Sequence, residues 1–327
     1  MKTVGRRRPM QPKDIGENSW HPDFDATLLA PAGASGVVVL EARQPVPDHV
    51  WGSVLLLGNF DGLHVGHMEL LTAARRHAAL LKAPLGIMSC EPHPKQFFNP
   101  DATPFRLSGS NAKQLICARL GIDLLFMPRF DSEFANLSAE GFASELLAGQ
   151  LGAKAVVVGE DFHFGKGRRG SVDDLRFFGL ACEFDVIVVP DLIVRGERIS
   201  STLVRSWISS GDLDKANAAL KGGWITKAFS DGCTKLIFEP ATILPPAGQY
   251  FADIWNMKGD PLARVKIYLS LEPTATIEAP ITIPAGAYLV SAWQKLNRDV
   301  ARETHPEVVV GDPVRLAESR TSDALSN

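Results

Sequence analysis

Two rhythms of apolar and polar residues divide the chain. Short, mostly apolar runs at residues 37–40, 54–57, 85–89, 123–127, 155–158 and 186–189 have the length of buried strands. Between them the apolar positions take helical spacing: Leu70, Leu71, Ala74 and Ala78 recur within 68–81, residues 113–120 read as a helix, and Ser138 N-caps another that runs to about residue 151. This alternation from about residue 37 to 220 predicts an α/β unit, a parallel sheet covered by helices. After Gly222-Gly223 the rhythm changes to apolar segments at 235–238, 250–255, 264–269 and 287–290 separated by Pro and Gly, which predict a small antiparallel β-barrel or sandwich. Residues 1–35, rich in Pro and Gly and without a sustained period, read as a flexible arm, and 303–327, rich in charged and small polar groups, as a disordered tail. The expected division is therefore 1–35, 36–220, 221–302 and 303–327.

The residues that carry chemistry gather in the turns after strands. Gly58-Asn59-Phe60-Asp61-Gly62-Leu63-His64-Val65-Gly66-His67 joins the strand at 54–57 to the helix at 68–81. Its glycines let the backbone approach a ligand closely, and a helix N-terminus carrying two imidazoles favours an anion, so the stretch reads as a phosphate site. A tight turn without a ligand is the plain alternative. A metal pair at His64 and His67 is another, but no second His/Cys cluster accompanies it. In Cys90-Glu91-Pro92-His93-Pro94 the prolines impose a rigid extended turn, and His93 either lines a pocket or merely occupies the turn. Phe97, Phe98, Pro104, Phe105 and Leu107 form an irregular apolar segment suited to covering a planar ring or to anchoring a loop. From Gly159 to Gly170, glycines, aromatics and basic residues alternate at the carboxyl end of a strand, where open α/β sheets bind ligands. Its aromatic rings can pack a planar ring system, and Arg168 or Arg169 can meet phosphate oxygens; a structural hairpin is the alternative. Arg198-Ile199-Ser200-Ser201-Thr202-Leu203-Val204-Arg205 sets three hydroxyls at a helix start with Arg205 one turn in, and an ordinary N-cap explains one of them.

Composition narrows the classes. A chain of 327 residues with 45% hydrophobic content can bury two cores. A net charge of -3 gives no basic footprint, so nucleic acid is not expected as a partner. Cys90, Cys117, Cys182 and Cys233 are scattered and are expected as free thiols. Arg6-Arg7-Arg8 is not followed by the apolar region of a signal peptide, and no run approaches transmembrane length, so the expected location is cytoplasmic with no membrane partner. Oligomeric state, protein partners and metal ligands stay open.

The His-x-Gly-His spacing at 64–67 resembles the signature of the nucleotidyltransferase superfamily, and Gly58-Asn59-Phe60-Asp61-Gly62 resembles the N-terminal module of bacterial FAD synthetases, the bifunctional riboflavin kinase/FMN adenylyltransferases. Glu91-Pro92-His93-Pro94, the Gly-x-Asp-Phe-x-Phe-Gly-x-x-x-x-Gly of 159–170 and the Ile-Ser-Ser-Thr-x-x-Arg of 199–205 match that family in order, and Gly211 to Ala216 continues the likeness. The resemblance implies a Rossmann-like nucleotidyltransferase domain that transfers AMP from ATP to FMN, giving FAD and pyrophosphate, with Mg²⁺ accompanying ATP. It implies that His64 and His67 bind the triphosphate and stabilise charge at the reacting α-phosphate, while Ser201, Thr202 and Arg205 hold the leaving phosphates. Gly58, Asn59, Phe60, Asp61, Gly66, Gly159, Asp161 and Ser200 complete the implied ATP site. Pro92, His93, Pro94, Phe97, Asp161, Phe162 and Phe164 form the implied flavin side.

The region after Gly223 is similar in position and class to the family's riboflavin kinase domain, and Pro245-Pro246-Ala247-Gly248-Gln249-Tyr250 resembles its Pro-x-x-Gly-x-Tyr turn. The kinase's Gly-Phe-Pro-Thr-Ala-Asn segment has only Ile237-Phe238-Glu239-Pro240-Ala241-Thr242 as a counterpart, without the asparagine and in another order. Glu278 is the remaining candidate for the carboxylate that activates the ribityl hydroxyl, and a surface glutamate is the other reading. A degenerate barrel without kinase activity is expected, with FMN supplied by another protein. A nucleotidyltransferase with a different phosphate acceptor and a non-catalytic flavin- or nucleotide-binding regulator are the alternative functions.

Overall fold

The computed structural model describes residues 36–41, 44–101, 104–194, 196–220, 223–278 and 283–296. The expected arm and tail lie outside them. The described residues divide into two compact units, those within 36–100, 117–204 and 217–220 in one, and those within 101–116, 205–216 and 223–296 in the other.

The first unit is a Rossmann-like parallel sheet. Its strands are β1 (Val38–Leu40), β2 (Val54–Leu57), β3 (Leu85–Met88), β4 (Leu124–Phe126), β5 (Ala155–Gly159) and β6 (Asp185–Val189), ordered β1-β4-β3-β2-β5-β6 with every neighbouring pair parallel. Every residue of β2, β3 and β4 is buried, which is why these strands read as unbroken apolar runs rather than alternating ones. From β2 the chain proceeds to β3 on one side and later returns with β5 on the other. The crevice at the carboxyl ends of β2 and β5 is therefore a topological switch point, where such sheets bind ligands.

Helix α1 (Val65–Leu81) buries Gly66, Leu71, Ala74 and Ala78, and ends at Lys82 in a left-handed cap with φ 48°. The short α2 (Pro94–Phe98) replaces the start of the expected irregular segment: Pro94 suits the first helical position, and the His93 side chain accepts from Lys95 N–H at 3.1 Å as its cap. Further along are α3 (Ser110–Arg119), α4 (Ser132–Ala135) and α5 (Ala139–Gly141). Ser138 caps α5 as expected, by accepting from Gly141 N–H at 2.9 Å, but the continuation Phe142–Gln150 winds as a π-helix rather than an α-helix. It closes with Leu151 N–H on the Leu146 carbonyl, and Phe142, Ala143, Leu146 and Leu147 are buried. A 3₁₀ turn at Lys166–Arg168 precedes α6 (Val172–Ala181), and a two-stranded hairpin of β7 (Ile193–Val194) and β8 (Glu197–Arg198) precedes α7 (Ser201–Ser210) and α8 (Leu213–Ala219).

The second unit carries a closed antiparallel barrel, which decides between barrel and sandwich. Its strands are β9 (Thr226–Ser230), β10 (Lys235–Phe238), β11 (Gly248–Trp255), β12 (Pro261–Leu269), β13 (Thr274–Ile277) and β14 (Gly286–Lys295), closing in the order β10-β13-β12-β11-β14-β9. Closure removes the open strand edges that a sandwich keeps. Trp224, Phe238, Tyr250 and Trp293 fill the interior, with Trp293 5.1 Å from Trp224, 5.5 Å from Phe238 and 6.0 Å from Tyr250 by ring centroids. Among the described residues no helix is long and apolar enough to cross a membrane.

Candidate functional site

The turn after β2 is sharply folded. Phe60 is buried with φ 41°, Asp61 is buried, and His64 is 6% exposed at the N-cap position of α1, where it makes no side-chain cap bond. The two imidazoles stack at 3.7 Å between centroids, and Phe60 lies 4.9 Å from His67. His67 Nδ1 is 3.1 Å from the Gly62 carbonyl; a carbonyl only accepts, so Nδ1 carries the proton. Gly66 lets the turn pack closely, because a Cβ there would crowd the His64 ring at 3.1 Å and the Ile199 carbonyl at 3.2 Å. Ser201 Oγ donates to the Asp61 carbonyl at 2.9 Å, so the start of α7 is tied to this turn although the two are far apart in sequence.

At the start of α7 the three hydroxyls separate. Ser200 is the cap, accepting from Leu203 N–H at 3.3 Å; Ser201 faces Asp61; Thr202 is exposed. Arg205 groups with the second unit, where its Nε donates to the Phe105 carbonyl at 2.7 Å and its guanidinium lies 5.5 Å from the centre of that ring.

Beside this turn, within the first unit, is a pocket of about 510 Å³. Gly58 and Asn59 after β2, His93 and Pro94 at the start of α2, and Asp161, Phe162 and Phe164 after β5 all line it. Three separated stretches of sequence thus converge on one cavity of a size that suits a ligand such as a cofactor. Pro92 and Phe97 are not among the residues that line it, and neither are Phe60, Asp61, His64, Gly66, His67 and Gly159. Phe97 still supports the wall, packing edge-on at 5.2 Å from Phe98 and 5.4 Å from Phe130.

Sequence reasoning missed much of the lining. Phe130, Phe134, Phe142 and Lys95 line the cavity without having been singled out, whereas Phe98, His163, Gly165 and Arg168, which also line it, come from stretches already read as ligand-facing. The rings form a continuous chain, Phe98 to Phe130 at 5.7 Å, Phe130 to Phe134 at 5.7 Å, Phe134 to Phe142 at 6.5 Å, Phe142 to Phe164 at 5.1 Å and Phe164 to Phe162 at 5.8 Å. The phenylalanines at 130, 134 and 142 look like ordinary core residues in sequence; their recurrence between β4 and the π-helix was the available signal.

A clamp of ion pairs stands at the pocket edge. Arg198 NH2 is 2.7 Å from Asp161 and its Nε 2.9 Å from Asp191, linking β8 to the pocket edge. The hydrogen bond to Asp161 is the main reason the guanidinium is held above its ordinary range. Among the described residues no group of three or more His, Cys, Asp or Glu could hold a metal ion.

Residues 47–203 match the family model described as FAD synthetase. The bifunctional riboflavin kinase/FMN adenylyltransferase of Escherichia coli K12 is 38% identical over 169 residues, 52% of this chain and 54% of that protein. Its namesake from Pseudomonas fluorescens is 37% identical over 175 residues, 53% and 55% respectively. The chain therefore spans about half the length of the curated relatives it matches. A crystal structure named as a macrolide-efflux protein from Streptococcus pneumoniae is 25% identical with a TM-score of 0.64, covering 80% of this chain and 99% of its own. Residues 47–203, which hold the turn after β2, the pocket and the start of α7, are thus similar to the FAD synthetase family.

Proposed function

We propose that the protein is an FMN adenylyltransferase, a nucleotidyltransferase that makes FAD and pyrophosphate from FMN and ATP. One observation carries the reading: a phenylalanine-lined cavity of about 510 Å³ adjoins a helix N-terminus bearing two stacked histidines, at the switch point of a parallel sheet. The cavity offers an apolar slot for a flavin ring, and the helix start offers N–H groups and imidazoles to phosphates.

In the reaction a phosphate oxygen of FMN attacks the α-phosphorus of ATP, the bond from that phosphorus to the bridging oxygen breaks, and pyrophosphate leaves. The chemistry needs alignment and charge stabilisation more than a covalent intermediate. His64 and His67 stabilise charge on the α-phosphate, with Gly58, Asn59, Phe60, Asp61 and Gly66 shaping the turn that presents them. Ser201 and Thr202 hold the departing phosphates from the α7 start that Ser200 caps, and Arg205 adds its charge from within α7. His93, Pro94, Phe162 and Phe164 hold the ring, with Pro92 shaping the turn before α2 and Phe97 packing against Phe98 and Phe130. Asp161 closes the pocket edge under the Arg198 clamp, and Gly159 lets the chain turn after β5. Mg²⁺ belongs with the triphosphate rather than in a protein cage, as is usual for an ion that keeps few protein ligands; it supplies charge neutralisation when bound.

The test is chromatographic detection of FAD from purified protein, Mg²⁺, ATP and FMN, with CTP and other phosphate monoesters as competing substrates. FAD with ATP and FMN is expected. Its absence, or preference for another acceptor, overturns the assignment.

A further inference from the structure

We propose that Ser89, which lies in none of the motifs that point to the reaction, is a positioning residue for it, and that Ser201 shares this role from α7. Both hold the turn after β2 by its carbonyl oxygens, so that the acceptor in the cavity and the phosphates at the start of α1 stay aligned. The alignment rests on the adenylyltransferase reading above; the bracing of the turn does not.

The turn needs bracing because its backbone is unusual. Phe60 is buried with φ 41° and Gly62 has φ 74°, so the chain twice enters the left-handed region within three residues. A bulky side chain in that region is strained and persists only where its surroundings over-determine it. Here the surroundings are three side-chain donors, one for each of three turn carbonyls. Ser89 Oγ donates to the Asn59 carbonyl at 2.5 Å, Ser201 Oγ to the Asp61 carbonyl at 2.9 Å, and His67 Nδ1 to the Gly62 carbonyl at 3.1 Å. The main chain adds Gly58 N–H on the Met88 carbonyl at 3.3 Å, His64 N–H on the Gly62 carbonyl at 3.1 Å, and an antiparallel bridge between His64 and Leu220.

These bonds suit a turn that meets an anion. A peptide oxygen aimed at a phosphate repels it, whereas one that accepts a hydrogen bond from the protein is aimed elsewhere and has its partial charge offset. With the oxygens of Asn59, Asp61 and Gly62 engaged in this way, the start of α1 presents the Val65 and Gly66 N–H groups, the first two of the helix, which have no intrahelical acceptor.

Ser89 stands at the joint between the two halves of the site. It follows β3 directly, is 0% exposed, and its N–H is held by the Phe126 carbonyl at 2.9 Å. Its hydroxyl therefore reaches no ligand and acts only through Asn59. Asn59 lines the cavity, whereas Phe60, Asp61, His64 and His67 do not. The Ser89 bond thus fixes where the ring slot ends and the phosphate turn begins, and so the line from the attacking oxygen of FMN to the α-phosphorus. Ser201 has its hydroxyl hydrogen committed to Asp61, so what it offers a phosphate is its N–H at the first position of α7. Losing either brace disturbs alignment more than binding, which lowers kcat and leaves KM in place.

Two measurements on the full chain test this. In steady-state assays with Mg²⁺, ATP and FMN, Ser89→Ala is expected to lower kcat by about 10- to 100-fold while KM for each substrate moves by less than about twofold. Ser201→Ala should lower kcat in the same way, and Ser201→Thr, which keeps the hydroxyl, should recover it. An unchanged kcat in Ser89→Ala, or a loss confined to KM, overturns the proposal. In the second measurement, native-state amide exchange is followed at Gly58 and His64, whose N–H groups flank the braced carbonyls. Exchange at both should quicken by about tenfold in Ser89→Ala while the amides of α6 in the same protein keep their rates. Unchanged exchange at Gly58 and His64 overturns the bracing. Quickened exchange in Ser89→Ala, when the unaltered protein makes no FAD, refutes the adenylyltransferase reading and leaves the brace standing.

Discussion

His67 shows how one backbone contact fixes the chemistry of a side chain. With its Nδ1 proton given to the Gly62 carbonyl at 3.1 Å, a hydrogen bond from Nε2 to a phosphate requires the imidazolium. In the proposed reaction His67→Ala removes that donor, and FAD formation should fall by about 10²–10³-fold with the fold unchanged by circular dichroism. Asp253 in β11 makes a different case, because burial raises its carboxyl above the ordinary range while Arg264, 3.8 Å away, only partly opposes the shift. The folded state then holds the proton to higher pH than the unfolded state, so this group costs stability progressively as pH rises through its folded titration range. Asp253→Asn should therefore raise the barrel's unfolding midpoint at neutral pH, and the gain should vanish once acid has protonated the wild-type carboxylate. Thermal melts of both proteins across that range check the sign. The histidines and the Ser-Ser-Thr run were legible because glycine, imidazole and hydroxyl spacing is local; the partners of Asp253 and Ser201 were not, because they come from other strands and turns.

At the scale of elements, the connection after β5 holds a backbone state that a side chain cannot enter. Gly165 has φ 68° and ψ -177°, and a Cβ there would meet the backbone of Ala139 at 2.8 Å. Gly165→Ala should cost roughly 1–3 kcal/mol and weaken flavin binding, since the same turn carries Phe162 and Phe164; denaturant unfolding and a flavin titration measure the two effects. Helix α6 starts at a capping box in which Asp174 N–H bonds Ser171 Oγ at 3.3 Å and Ser171 N–H bonds the Asp174 carboxylate at 2.8 Å. Ser171→Ala should lower stability by about 1 kcal/mol in the same unfolding experiment. The bonds from Ser171 hold the Asp174 carboxyl below its ordinary range, so its support is present above the usual carboxylate range and is lost as pH falls through the folded value. Apolar spacing at 142, 143, 146 and 147 predicted helix from 138 to 151, but α- and π-helices share a four-residue recurrence over so short a span. The backbone hydrogen bond from Leu151 to Leu146 decides it.

For the whole molecule, two kinds of sheet answer two kinds of pattern. The sequence by itself determined the order of strands and helices, the change of rhythm after residue 223, and the motifs at the ends of β2 and β5, since each depends on periodicity, glycine placement or capping within a few residues. Tertiary structure alone decided that the six barrel strands close, that Phe130, Phe134 and Phe142 line the pocket while Pro92 and Phe97 do not, and that Glu278 pairs with Lys266. The physical reason is common to all three. Burial and spacing along a strand or helix say which face turns inward, whereas which inward faces meet depends on crossovers between segments far apart in the chain.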